Sequence, residues 1–361
     1  MFDLRRSFRI RAYGLLPFLT IALAAFFPSC SNRGDGLSVR GRLDELRYLS
    51  VPQDALQILP LVEEVPLGNV MYGKSYGDCL FFFDEANMRI YSVEGDTVRL
   101  ALDKRGRGPG EYSDIGAFTY VPETEELVIF ERAGRKLRFY KDGAMTRQIP
   151  VDFYAIAMEA LSDDKILYAR EAASLGGPAG LFAYDLSSGE QTQLLSLRED
   201  QVEFFHDLSF CRVDDKIYFG VTGLTTDIYS YDGDLKKVAS VSFSPNPFGK
   251  EYWSGEYSAE KEGKALASVS DGNLSLALGV FCLQVSKDKI GFWYMNGDSI
   301  QNHNLPSLSY CSIEGGEANT YYVVRLPRES GIELFQPVAV GKDGFISIGE
   351  EDEATLYKVV L

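Results

Sequence analysis

The stretch "CLFFFDEANMRIYSVEGDTVRLAL" at residues 79–102 decides the fold. It contains an apolar aromatic strand, a polar loop, a second strand, an acidic glycine turn and a third, alternating strand. Segments of the same design follow at 127–151, 165–197 and 216–243. Their turn glycines recur every 44 to 48 residues: Gly95, Gly143, Gly189 and Gly233. Glycine suits these turns because their central positions take positive φ.

A fourth, innermost strand precedes each segment, with small or apolar residues at alternate positions: "NVMYGKSY", "IGAFTYVP", "AIAMEALS" and "LSFCRVDD". Two weaker units follow at 279–299 and 335–361, and the last supplies only three strands. The missing strand is available at 55–67, and adding it to the last unit would leave no open sheet edge. The sequence therefore predicts an all-β chain, a six-bladed β-propeller whose last blade is closed by an N-terminal strand.

The decapeptide "GNVMYGKSYG" at 68–77 matches two catalytic motifs. The phosphate-binding pattern G-x-x-x-x-G-K-[ST] is filled by Gly68, Gly73, Lys74 and Ser75. The hydrolase pattern G-x-S-x-G also fits this stretch. Both motifs need a helix directly after the loop. Here Ser75 is followed by "YGDCLFFFDE", a turn and then a strand. We therefore predict that Lys74 and Ser75 lie in an inner strand and that neither motif is functional.

The N-terminus predicts export. A basic start is followed by an apolar run of about 16 residues that ends at Cys30. This layout resembles a bacterial lipoprotein signal, and an ordinary secretory signal with an unrelated cysteine is the alternative. We predict a signal peptide at 1–29, lipidation of Cys30, a flexible tether at 30–44 and a propeller domain at 45–361. The protein would be a cell-envelope lipoprotein of the outer membrane, facing either the periplasm or the cell exterior.

Composition excludes several functions. The net charge of −16 predicts no binding to nucleic acid and contact with membranes through the lipid anchor alone. The other four cysteines form no C-x-x-C pair, so a zinc site is not expected. Three disulfide pairings stay open, and buried thiols are the simpler interpretation: Cys79, Cys211, Cys282 and Cys311.

At "DKRGRGPGEYSDIGAF", residues 103–118, the chain resembles the six-bladed β-propeller lipoproteins of Bacteroidetes, a group related in architecture to TolB-like and NHL-type propellers. The most specific element is G-x-G-P-G-E-[YF], at 106–112. The resemblance extends over residues 45–361 and implies the fold and export, but no reaction. The glycines of this motif and Pro109 favour a tight crossing between two blades. Glu111 would accept hydrogen bonds from the backbone N–H groups of these glycines. The alternative is that Arg105, Arg107 and Glu111 line a ligand site.

The loops between second and third strands share a face with these crossings, so we expect partner binding there. A solvated charged surface is the alternative. His206 and Asp207 are a candidate pair on another crossing, and Trp253 lies in the aromatic insertion "PNPFGKEYWSGEY". Packing roles are the alternative for all three. The candidate binding residues are Asp84, Glu85, Arg105, Arg107, Glu111, Arg132, Arg135, His206, Asp207, Trp253, Glu351 and Asp352.

These features favour a non-catalytic, monomeric binding module for a protein or glycan partner of the cell envelope. No cofactor motif is present. The rival hypothesis is a calcium-dependent hydrolase or lyase that uses carboxylates at the channel mouth, although no D-x-[DN]-x-[DN]-G loop supports it. A structural part of an envelope complex is a third hypothesis.

Overall fold

The computed structural model describes residues 46–50, 56–59, 67–68, 70–76, 79–170, 178–197, 208–213, 216–222, 226–243, 281–286, 289–295, 307–314, 317–325, 336–339, 343–350 and 353–360. Every regular element in these ranges is a strand, and the strands form six sheets. The described part of the chain has no helix that is long and apolar enough to cross a membrane. The predicted signal peptide, Cys30 and the tether lie outside it.

Two short strands, β1 (Leu46–Ser50) and β2 (Leu56–Ile58), come first. The first sheet contains β3 (Val70–Tyr76), β4 (Cys79–Asp84), β5 (Arg89–Glu94) and β6 (Thr97–Leu102). The second contains β7 (Ala117–Val121), β8 (Glu126–Glu131), β9 (Lys136–Lys141) and β10 (Ala144–Pro150). The third contains β11 (Ala157–Ala160), β12 (Lys165–Arg170), β13 (Gly180–Asp185) and β14 (Gln191–Ser196). The fourth contains β15 (Leu208–Val213), β16 (Lys216–Thr222), β17 (Thr226–Tyr231) and β18 (Lys237–Phe243).

The last two sheets each include an N-terminal strand. The fifth contains β19 (Phe281–Ser286), β20 (Lys289–Met295), β21 (Ser307–Glu314) and β22 (Glu317–Arg325), with β1 added in parallel to β22. The sixth contains β23 (Gln336–Ala339), β24 (Asp343–Glu350) and β25 (Glu353–Val360), with β2 antiparallel to β25. The strand β1 was not among the predicted elements, because five residues that include an arginine give little alternation to recognise.

In the first four sheets the first strand is the innermost, as predicted, and β19 and β23 have this position in the last two. These inner strands are neighbours in the order β7, β11, β15, β19, β23 and β3, so the sheets are arranged around a common centre as in a propeller. Lys74 and Ser75 lie within β3, and the next element is the antiparallel strand β4 rather than a helix. The prediction that Lys74 and Ser75 lie in an inner strand is confirmed, and the helix that both motifs require does not follow them.

The core lies between neighbouring sheets. β4 and β8 are almost wholly buried, because each sheet packs on both of its faces. Between the second and third sheets, Phe153 stacks on Tyr168 with ring centroids 3.9 Å apart and meets Tyr184 edge-on. Burial of one such aromatic side chain contributes about 1.5–3 kcal/mol.

Three of the four predicted turn glycines take positive φ: Gly95 at 61°, Gly143 at 71° and Gly189 at 74°. The prediction was wrong for Gly233, because the positive φ of that turn, 64°, belongs to Leu235. There the Asp232 carboxylate accepts the backbone N–H groups of Asp234 and Lys236. This side chain holds a wider loop, which moves the left-handed residue two positions along the chain.

Candidate functional site

Three segments of the first two sheets form the loop face: the turns 85–88 and 132–135, and the crossing 103–116 between β6 and β7. Neighbouring strands in each of these two sheets are antiparallel, so the second and fourth strands end at the side of the sheet where the inner strand begins. The three segments therefore lie at the same end of their sheets. The candidate residues of these two sheets lie on this face or at the strand end beneath it, which fits the predicted grouping.

The crossing is closed on itself by Glu111. Its Oε2 accepts the backbone N–H of Gly108 at 2.6 Å, which confirms the predicted role. A Cβ atom at Gly106 would lie 1.9 Å from the same oxygen, so any other residue there would displace the Glu111 carboxylate. The N–H of Gly106 donates to the carbonyl of Tyr112 at 2.8 Å. The crossing is therefore a compact, internally bonded loop.

Tyr112 fixes this loop to the core. The side chain is fully buried, its ring meets Tyr140 edge-on, and its hydroxyl donates to the carbonyl of Met88 at 2.7 Å. Burial raises the pKa of Tyr112, so the hydroxyl stays protonated and able to donate. The loop is thereby tied to the neighbouring turn 85–88.

Two buried carboxylates hold the segments that lead into the inner strands. At the end of β4, Asp84 accepts the N–H of Gly68 at 2.9 Å and the Asn87 side-chain amide at 2.7 Å. At the end of β8, Glu131 accepts the N–H of Ser113 at 2.8 Å and pairs with Arg138 at 2.9 Å. Burial opposes ionisation of Glu131, but these donors bring its pKa below the usual value. Both carboxylates thus have structural partners.

Four cations on or beside these loops are exposed: Lys104, Arg105, Arg107 and Arg135. None forms an ion pair with another described residue. By contrast, Arg132 lies 3.4 Å from Asp114, and Arg89 lies 2.9 Å from Asp103. The hydrogen-bond donors of these four cations are therefore not taken up by a described carboxylate.

The predicted site residues thus have different positions. Arg105, Arg107 and Arg135 are exposed, Arg132 and Glu85 are half-buried, and Glu111 and Asp84 bind the protein's own backbone. The remaining candidates lie outside the described residues: His206, Asp207, Trp253, Glu351 and Asp352. Among the described residues there is no cluster of three or more His, Cys, Asp or Glu side chains able to hold a metal.

A charged pair at the centre of the molecule was not predicted from the sequence. Lys74 of β3 and Glu159 of β11 form an ion pair of 2.8 Å, with side chains only 7% and 1% exposed. Lys74 also donates to the carbonyl of Met158. Its ammonium lies 5.7 Å from the ring centroid of Phe118 and 5.5 Å from that of Phe210. Residues from three other inner strands, β7, β11 and β15, therefore surround one buried cation.

Hydroxyl groups extend this channel cluster, which we define as Lys74, Tyr76, Thr119 and Glu159. The Tyr76 hydroxyl lies 3.2 Å from Glu159 Oε2 and 3.0 Å from Thr119 Oγ1. Glu159 Oε1 is buried without a hydrogen-bond partner among the described residues. Burial lowers the pKa of Lys74, and Glu159 only partly opposes this effect. Burial also raises the pKa of Tyr76.

A weak signal for this pair was present in the sequence. "NVMYGKSY" and "AIAMEALS" each place a single charge, of opposite sign, in an otherwise apolar or small-residue inner strand. Because inner strands converge on one axis, opposite charges on two of them are close enough to pair. The match to a phosphate-binding motif gave no indication that Lys74 pairs with a carboxylate.

The thiols Cys79 and Cys211 are both half-buried and form no disulfide. Burial raises the pKa of Cys79 to about 11. The side chains of Cys282 and Cys311 lie outside the described part of the structure.

Two solved structures share this architecture. A protein of Bacteroides fragilis NCTC 9343 inferred to be exported matches with a TM-score of 0.57 and 14% identity, over 89% of this chain and 98% of that one. A DUF4221 family member from Bacteroides vulgatus ATCC 8482 matches with a TM-score of 0.50 and 9% identity, over 84% and 95%. At such identities the likeness shows the fold alone. No curated protein sequence matches this chain.

The family model of DUF5128, described as a 6-bladed beta-propeller, matches residues 54–300. That range contains the first four sheets and the start of the fifth. It also contains the loop face and the channel cluster. The chain therefore belongs to the DUF5128 family of 6-bladed beta-propellers.

Proposed function

We propose that this chain is an exported, lipid-anchored binding module without catalytic activity, which presents its loop face to a glycan or protein partner of the cell envelope. The six sheets are the six blades, and β2 closes the last of them. The likeness to a Bacteroides protein inferred to be exported and the N-terminal sequence ending at Cys30 support the location.

The observation that carries the proposal is how Glu111 and Tyr112 hold the crossing 103–116. A loop closed by its own carboxylate and fixed to the core loses little conformational entropy when a partner binds. Exposed side chains on such a loop form a preorganised binding surface.

A steric block of the loop face tests the proposal. Ala133 is exposed at the tip of the turn 132–135, and Asp163 is exposed in the turn between β11 and β12, at the opposite end of the sheets. The purified chain is screened against envelope polysaccharides and envelope protein extract. Binding is then measured for Ala133→Trp and for the control Asp163→Trp.

We expect Ala133→Trp to weaken binding at least about tenfold and Asp163→Trp to leave it unchanged, with equal thermal stability of both variants. A tenfold loss corresponds to about 1.4 kcal/mol. Loss with Asp163→Trp alone, or no binding in either screen, would refute the proposal.

A further inference from the structure

We infer that the loop face recognises an anionic glycan, a polysaccharide whose rings carry carboxylate groups, through the exposed cations Lys104, Arg105, Arg107 and Arg135. The inference rests on the binding role proposed for the same face and adds the chemical class of the ligand. Three observations support it: the positive charge of these side chains, the backbone geometry that holds them, and the absence of large exposed apolar side chains among the described residues of this face.

Several acidic side chains near these cations already have other partners. Asp103 pairs with Arg89 and Asp114 with Arg132. Glu111 accepts a backbone N–H group, as do the buried carboxylates beneath the loops. The four exposed cations form no ion pair with a described carboxylate, although the whole chain carries a net charge of −16. A local cationic surface on an acidic protein attracts an anion at short range, within a Debye length of roughly 8–10 Å.

The backbone positions of three of these cations are restricted. Arg107 lies between Gly106 and Gly108 in the closed part of the crossing, and the backbone of Arg105 is bridged to that of Tyr112. Arg135 has a φ of 46°, in the left-handed region that glycine or asparagine adopts more easily. The equivalent turn of the first sheet has Met88 at a φ of 55°, so the turn itself requires this conformation. Arginine at this position extends its guanidinium from a fixed backbone.

The ligand class follows from what the face lacks. Protein interfaces depend on aromatic or large aliphatic anchors. Among the described residues, the exposed large hydrophobic side chains are Ile58 and Val238, which lie on the outer strands β2 and β18 and not on the loop face. Guanidinium groups bind carboxylates through paired hydrogen bonds and need no apolar contact. A polar, charged polymer fits this surface better than an acidic protein does.

The test measures binding of the purified full chain by calorimetry to polygalacturonate, to neutral dextran of matched length, and to poly-glutamate. Three variants are compared with the wild type: Arg105→Glu/Arg107→Glu, Arg135→Gly, and the charge control Lys141→Glu/Lys236→Glu in turns at the opposite end of the sheets. Asp142→Gly is the backbone control, because Asp142 has a φ of 50° and is exposed on that opposite side. Arg135→Gly suits its turn, so lost binding cannot be attributed to unfolding.

We expect polygalacturonate to bind and dextran not to bind, with affinity that falls as salt is raised. Arg105→Glu/Arg107→Glu should weaken binding at least about tenfold and Arg135→Gly by about two- to fivefold, with both controls at the wild-type value. No binding to polygalacturonate, tighter binding of poly-glutamate, or an unchanged affinity in the double variant overturns the inference.

The steric variant separates this failure from failure of the binding role itself. If a neutral glycan or a protein is bound, and Ala133→Trp abolishes that binding while the charge variants do not, the loop face binds a ligand of another class. If Ala133→Trp has no effect on any bound partner, the proposed function fails as well.

Discussion

Replacing Glu159 by glutamine should destabilise the fold by about 3–5 kcal/mol, because it leaves the Lys74 cation in the channel without a counterion. The structure favours the lower part of this range, since the glutamine carbonyl can still accept hydrogen bonds from Lys74 and Tyr76 at the positions now 2.8 and 3.2 Å from Oε2. A loss of this size is a large part of the 5–15 kcal/mol by which folded domains are typically stable.

Urea unfolding followed by tryptophan fluorescence and circular dichroism gives the free energy of unfolding, provided that the two transitions coincide. Glu125→Gln is the matched control, because Glu125 pairs with Lys141 at the surface, and it should cause no measurable change. Lys74→Met/Glu159→Leu removes both charges and should recover most of the stability lost in Glu159→Gln.

The pH dependence provides a second measurement of the same pair. Without Glu159, only burial acts strongly on Lys74, so its folded-state pKa falls further below the unfolded value of about 10.4. Between those two pKa values the unfolded chain binds a proton that the folded chain does not. The stability of Glu159→Gln should therefore rise with pH toward about pH 10, by at most about 1.4 kcal/mol per unit. A loss below about 1 kcal/mol, or a stability that falls with pH over this range, would refute the reasoning.

Three further predictions concern single sites. Gly106→Ala should lower the free energy of unfolding by about 1–3 kcal/mol, because its Cβ would overlap Glu111 Oε2. Adding Glu111→Ala should recover part of this loss, which thermal denaturation of the single and double variants measures. Cys79 should react with iodoacetamide far more slowly than a free thiol at pH 8, because its pKa is about 11; mass spectrometry that finds rapid labelling would contradict this. NMR should find a pKa of about 2 for Asp185, because Ser187 and Ser188 donate hydrogen bonds to its carboxylate. The resulting contribution to stability is present above the unfolded pKa near 4 and is lost as pH falls through about 2.

Much of the fold followed from local pattern. The alternation within "CLFFFD" and the spacing of the turn glycines predicted hairpins, and the repeat length predicted the propeller. The same local rule located the loop face, because the end of a sheet at which a loop lies depends only on strand order. The structural role of Glu111 was also predictable, since it involves residues three positions apart.

The parts that were missed depend on distant contacts. Lys74 and Glu159 are 85 positions apart, and only the convergence of inner strands brings them together. In the Gly233 turn, the Asp232 carboxylate altered the geometry that glycine spacing alone had predicted. The parallel addition of β1 to β22 likewise rests on a long-range pairing that no periodicity within five residues reveals.

The pairing of Leu56–Ile58 with the C-terminal strand has a consequence for biosynthesis. The last sheet cannot be completed until Glu353–Val360 has left the ribosome, because its edge strand comes from the opposite terminus. A nascent chain must keep β2 unpaired during almost the entire period of translation, and contacts so remote in sequence form slowly. A stop codon only ten residues early would remove β25 and leave β2 and β24 as unpaired strand edges that are open to aggregation.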